Sequence, residues 1–189
     1  MIRITGCAYF FLALLFLTVP LRWAISVLLA ALFHEFCHYR VICFVGGNVT
    51  SVTIDIHGAV MDARIPSTER ELLCAAAGPV GSFLLLLLCR MFPEIAVCGF
   101  IQGCINMLPV YPLDGGRILK CILELAEIKD VQRALLQVKR ITYIAAVFFT
   151  AIFTVRFSGE KLIALLGCVW FLKRILRKRP CKQKQNGVQ

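Results

Sequence analysis

WAISVLLAALFHEFCHYRVICF, residues 23–44, is a helix-length apolar run with His34, Glu35 and His38 set into its second half. An ionisable group in a hydrophobic helix costs roughly a few kcal/mol unless it is paired or has a function. Three of them within five residues point to chemistry rather than packing. Positions i and i+4 lie on one helix face, so the imidazoles of His34 and His38 can reach one metal ion. Glu35 sits about 100° around the helix from His34. That places it to take a proton from a water at such an ion without being a ligand. Eleven steps separate Trp23 from His34, roughly 16 Å of helix, which puts the pair past the middle of a bilayer. Cys37 falls off the ligand face and reads as packing.

The rest of the chain supports a membrane setting. Of 189 residues, 59% are hydrophobic and 17% charged, with a mean hydropathy of +0.80. Soluble domains carry about 45–50% apolar and about 25% charged residues, so a cytosolic domain, a disordered tail and a nucleic-acid-binding module are excluded. Apolar runs at 7–20, 23–44, 72–91, 95–108, 141–155 and 162–172 predict six spans, several of them short against the roughly 20 residues a bilayer needs. An even count puts both termini on one side. That side then holds 17 Lys and Arg and the other holds 4, which predicts cytoplasmic termini. Seven basic residues fall in the last 17, as in a juxtamembrane flank. The expected division is a membrane domain over 1–176 and a basic cytoplasmic tail over 177–189. The ten cysteines, with no CxxC pair, read mainly as small buried hydrophobes.

Two stretches break the helical pattern. Residues 49–64 alternate polar and β-branched positions around Gly58, which predicts a small membrane-associated β-hairpin, with a solvated loop as the alternative. Residues 106–117 read NMLPVYPLDGGR. Pro109 and Pro112 interrupt the fourth span, and Gly115-Gly116 lets the backbone turn or approach closely. Irregular backbone at membrane depth is tolerated where protein or a wet cavity encloses it. Two histidines leave a zinc site one protein ligand short. Asp114 on the broken span is one candidate, and its alternative role is an N-cap for a helix over 116–127. His57, Glu69 and Glu71 are the other candidates.

The HExxH at 34–38, the Gly78-Pro79 pair in a later span and the NxxPxxPLDGGR run together resemble the site-2 proteases, the intramembrane zinc metalloproteases of peptidase family M50. The resemblance covers most of residues 25–120. It implies Zn2+ held by His34, His38 and Asp114, with Glu35 as the catalytic base. It also implies that Asn106 holds the substrate, and that the hairpin, with Ile54 and Ile56, pairs with an extended substrate chain. The partners implied are a transmembrane or membrane-associated protein substrate, the lipid bilayer and membrane inhibitor or regulator proteins. The short plan looks most like the stage IV sporulation FB-like bacterial branch, which activates a sigma-factor precursor. No PDZ insertion is seen, and no CBS domain follows the tail, so nucleotide-sensitive control is not expected.

The expectation is therefore an all-α polytopic protein of a bacterial cell membrane, with about six spans, a surface hairpin and a broken fourth span. Its active site would lie toward the cytoplasm, cleaving transmembrane or membrane-near proteins. The rivals are a membrane zincin of the HtpX type, with Glu69 or Glu71 as third ligand, and a non-catalytic membrane scaffold.

Overall fold

The structure, a computed structural model, describes residues 2–4, 6–55 and 58–156. In chain order they form β1 (Ile2–Ile4), α1 (Gly6–Thr18), α2 (Leu21–Phe44), β2 (Asn48–Asp55), β3 (Gly58–Arg64), α3 (Thr68–Leu84), α4 (Pro93–Asn106), α5 (Asp114–Leu125) and α6 (Val131–Arg156). A single 3-10 turn, Leu85–Leu88, extends α3. The expected span at 162–172 and the basic tail lie outside the described residues, as do Ile56 and His57. The chain divides into two compact units, 1–139 and 140–189. Of the second, residues 140–156 are described and are helical.

Two of the described helices are long and apolar enough to cross a membrane, Leu21–Phe44 and Thr68–Leu88. The second starts four residues ahead of the apolar run at 72. The Ser67 hydroxyl accepts from the Arg70 N–H at 3.4 Å, and Glu69 and Glu71 occupy the first turn. A serine cap and early acidic residues start a helix in polar sequence, where hydropathy gives no signal.

Small side chains make the core. Ala24, Ala30, Cys74, Ala75, Ala96 and Cys121 are buried, whereas Leu32, Phe36, Phe44 and Leu87 are exposed. This arrangement suits helices that associate in lipid, where close backbone approach replaces the hydrophobic drive. On α2 the buried residues Ser26, Ala30, His34, His38 and Ile42 fall four apart. On α3 the buried Cys74, Gly78 and Ser82 do the same, and these two helices pack on each other.

The hairpin forms as β2 and β3, antiparallel, with Asn48 opposite Arg64 and Asp55 opposite Gly58. A third strand joins it. β1 runs parallel to β2, with Ile2 against Val52 and Ile4 against Ile54, and the order is β1-β2-β3. Ile54 therefore has a paired neighbour on either side, Ile4 and Ala59. Ahead of the hairpin, the Arg70 guanidinium on α3 donates to the carbonyl of Val45, the C-cap of α2, at 2.9 Å.

Helix α4 presses on α3 through Gly99. A Cβ built there would lie 2.9 Å from the Ser82 carbonyl oxygen and 2.7 Å from Leu85 Cδ1. Gly99→Val is expected to cost about 1–3 kcal/mol by overpacking, read as a lower thermal midpoint in detergent. Ile101→Val, at an exposed position, is expected to leave the midpoint unchanged.

Candidate metal centre

Two elements bring three ligand atoms to one point. His34 and His38 project from one face of α2, and Asp114 opens α5 immediately after the proline-broken segment. Asp114 Oδ2 lies 3.1 Å from His34 Nε2 and 3.0 Å from His38 Nε2, and the two Nε2 atoms are 3.2 Å apart. All three residues are buried. The rings meet edge to face, with an interplanar angle of 79°.

The far side of each ring is also held. His38 Nδ1 donates to the Cys74 carbonyl at 2.7 Å. A carbonyl only accepts, so Nδ1 carries the proton and the neutral ring's Nε2 lone pair points into the cluster. His34 Nδ1 meets the Ser82 hydroxyl at 2.8 Å. The Ser82 hydroxyl can donate or accept, so it admits the His34 tautomer whose Nε2 lone pair also points inward. In that state two imidazole nitrogens and a carboxylate oxygen converge as a donor set for a cation. A tetrahedral zinc site with bonds of about 2.0–2.1 Å has ligand atoms about 3.3 Å apart. The observed 3.0–3.2 Å fits that donor set, so the three residues can hold a metal ion.

Local backbone explains why these atoms meet. A Cβ at Gly78 would fall 2.6 Å from His34 Nε2 and closer still to His38 Nε2. Only glycine leaves room there for the pair. Past α4, the chain folds back through Val110 N–H to the Leu108 carbonyl and Leu113 N–H to the Val110 carbonyl. Gly115 and Gly116 let this segment lie against the first turn of α5, where a Cβ would meet the Met107 and Val110 backbone. The Tyr111-Pro112 peptide is cis.

Asp114 is the first residue of α5, preceded by Leu113, which provides no side-chain cap. Its carboxylate faces the histidines, so of the two roles open to it in the sequence the geometry takes the ligand. Its other oxygen, Oδ1, lies 3.8 Å from Arg117 Nη1, and Arg117 Nη2 lies 3.8 Å from Glu71 Oε1. Glu71 is thus joined to the cluster only through Arg117, and Glu69 is exposed. The arrangement does not favour a glutamate as third ligand. Asn106, the last residue of α4, brings Nδ2 to 3.5 Å from His34 Nε2. Glu35 is half-buried on α2 beside the pair. Ser82 and the Cys74 carbonyl carry no sequence signal that marks them as site groups.

Gly78→Ala is expected to weaken zinc binding at least about 10-fold, by placing a methyl group between the two ring nitrogens. Titration against a competing chelator measures this, with helicity from circular dichroism unchanged.

Three likenesses to known proteins agree with this site. Residues 88–149 match the model of Peptidase family M50. That stretch contains Asp114 but not the HExxH, so match and motif are separate observations. The chain is 32% identical over 119 residues to the Methanocaldococcus jannaschii protein named "Zinc metalloprotease MJ0392", which is 53% of this chain and 35% of that protein. The chain therefore spans about a third of the length of the curated relative it matches. Its structure is similar to that of the site-2 protease from the same archaeon, with a TM-score of 0.62 and 20% identity, covering 95% of this chain and 92% of that one. The structural likeness shows a fold shared with that site-2 protease, and the match to the Peptidase family M50 model covers about a third of this chain.

Proposed function

We propose that this chain is the membrane-embedded core of a site-2-type zinc endopeptidase that cleaves transmembrane or membrane-near protein substrates. The observation that carries this reading is the convergence of His34, His38 and Asp114 from α2 and the start of α5, with their three ligand atoms 3.0–3.2 Å apart. Zinc, when bound, would supply Lewis acidity for a scissile carbonyl and a more acidic water.

The chain's own residues do the rest. His34, His38 and Asp114 hold the ion. Glu35 takes the proton of the attacking water and returns it to the leaving amine, as general base and then general acid. Asn106, at the end of α4 beside His34, holds the substrate backbone near the reacting carbonyl. A helical substrate has its carbonyls committed to intrachain hydrogen bonds, so the cleaved segment must be extended. Strand addition satisfies the backbone groups freed by unwinding. Since β2 already has neighbours on both sides at Ile54, the incoming strand adds at one of the two edges of the described sheet, β1 or β3. Ile54, on β2 next to either edge, acts from the inner strand, and Ile56 belongs to the same proposed substrate contact.

The same reading includes about six spans within residues 1–176, cytoplasmic termini, a basic cytoplasmic tail over 177–189, and a site open to water from the cytoplasm of a bacterial cell. The motif in the second expected span supports the sporulation-type branch, in which the substrate is a sigma-factor precursor and membrane proteins inhibit or regulate the protease. A non-catalytic scaffold would have no use for Glu35 between two metal-facing histidines.

In reconstituted liposomes with a membrane-anchored peptide substrate, Glu35→Gln is expected to keep zinc stoichiometry and lose cleavage by at least about 100-fold, the lower range for a general base. Full residual cleavage overturns the proposal. Asp114→Ala is expected to lose zinc while Glu71→Ala keeps it, and the reverse result would move the third ligand to α3.

A further inference from the structure

Besides giving Gly78's space to the histidine pair, α3 grips both rings from behind. Cys74, Gly78 and Ser82 lie four apart and are all buried. The first contacts His38 Nδ1 through its backbone carbonyl, and the last contacts His34 Nδ1 through its hydroxyl. The two grips differ in kind. Any residue at 74 supplies a carbonyl, whereas the contact at 82 depends on the side chain chosen there.

We infer that Ser82 is a positioning residue for the metal centre, whose hydroxyl orients the His34 ring so that Nε2 faces the ion. The inference rests on the metal reading above and deepens it. Ser82 is 0% exposed, so no bulk water replaces its oxygen if it is removed. Its Oγ lies 2.8 Å from His34 Nδ1, within ordinary hydrogen-bond range. With Nδ1 satisfied there, the ring turns Nε2 toward His38 Nε2 and Asp114 Oδ2.

Helix α4 holds Ser82 in place from the other side. A Cβ at Gly103 would lie 3.2 Å from Ser82 Cβ, and one at Gly99 would lie 2.9 Å from the Ser82 carbonyl oxygen. The two glycines bring α4 close enough that residue 82 has little freedom to shift along the ring. A metal-bound imidazole with its outer nitrogen tied to a fixed partner is a better and better-aimed ligand, and loss of that partner commonly costs 10–100-fold in affinity. Ser26 offers a contrast. It is also buried on an apolar helix, yet its hydroxyl donates to the Arg22 carbonyl of its own helix at 2.8 Å. That bond stays within α2.

The test uses the full chain in detergent, stripped of metal and titrated with zinc against a competing chelator. Ser82→Ala is expected to weaken zinc binding about 10–100-fold, with the helicity and thermal midpoint of the metal-free protein retained. The visible absorption of the cobalt-loaded variant is expected to change in position and intensity, because the ring no longer has a fixed orientation. Ser82→Thr keeps a hydroxyl and is expected to recover most of the lost affinity, and Ser26→Ala is expected to match the unaltered chain. If Ser82→Ala stays within about twofold of the unaltered chain while His34→Ala loses zinc, this inference fails and the metal reading stands. A Ser82→Thr variant that falls as far as Ser82→Ala also overturns it, since the hydroxyl would not be what matters. If His34→Ala itself keeps full affinity, the metal reading falls and takes this inference with it.

Discussion

Three ligand atoms held within 3.2 Å of one another in a buried place form a donor set for a shared positive charge. Much else in this fold serves that arrangement. Two of the atoms come from one helix face, which sequence spacing alone guarantees. The third comes from a residue 76 positions further along than His38, and it arrives only if the chain between them folds correctly. The glycine on α3, the proline-broken segment and the glycine pair that opens α5 each remove an obstacle to that meeting. A site assembled this way is a product of packing as well as of ligand chemistry.

The inverted character of the core follows from the same demand. Helices in lipid gain little from burying large apolar side chains, so most contact is made by Ala, Cys, Gly and Ser, and most of the Leu and Phe side chains described face outward, Leu85 being an exception. Small residues allow the backbones to come close, and close backbones put a carbonyl and a hydroxyl of α3 against the histidine rings. A core of Leu and Phe would hold α2 and α3 too far apart for either bond. Helix association and ligand orientation are therefore one geometric problem here.

The sequence carried most of the site and less of its support. His34, Glu35 and His38 are visible because charge in an apolar helix is costly, and Asp114 because two prolines and two glycines surround it. Whether Asp114 caps a helix or binds an ion was open, since both uses place a carboxylate before a helix; its facing direction is a tertiary fact. Ser82 carries no local signature that separates an orienting hydroxyl from a packing residue. The hairpin was legible from alternation and Gly58. The strand Ile2–Ile4 was not, being three residues long and paired with a partner about 50 positions away. The start of α3 was missed for a different reason: its first turn is polar and is set by the Ser67 cap rather than by hydropathy.

Arg117 stands between Asp114 and Glu71, and this has an electrical consequence. A divalent ion held by two neutral imidazoles and one carboxylate would keep one uncompensated positive charge, and the half-buried Glu35 carboxylate beside the pair would offset it while ionised. The guanidinium and the Glu71 carboxylate cancel each other and leave that balance untouched. Once Glu35 takes up a proton the offset is gone, and in surroundings of low permittivity the filled cluster would then hold electron-rich groups more strongly.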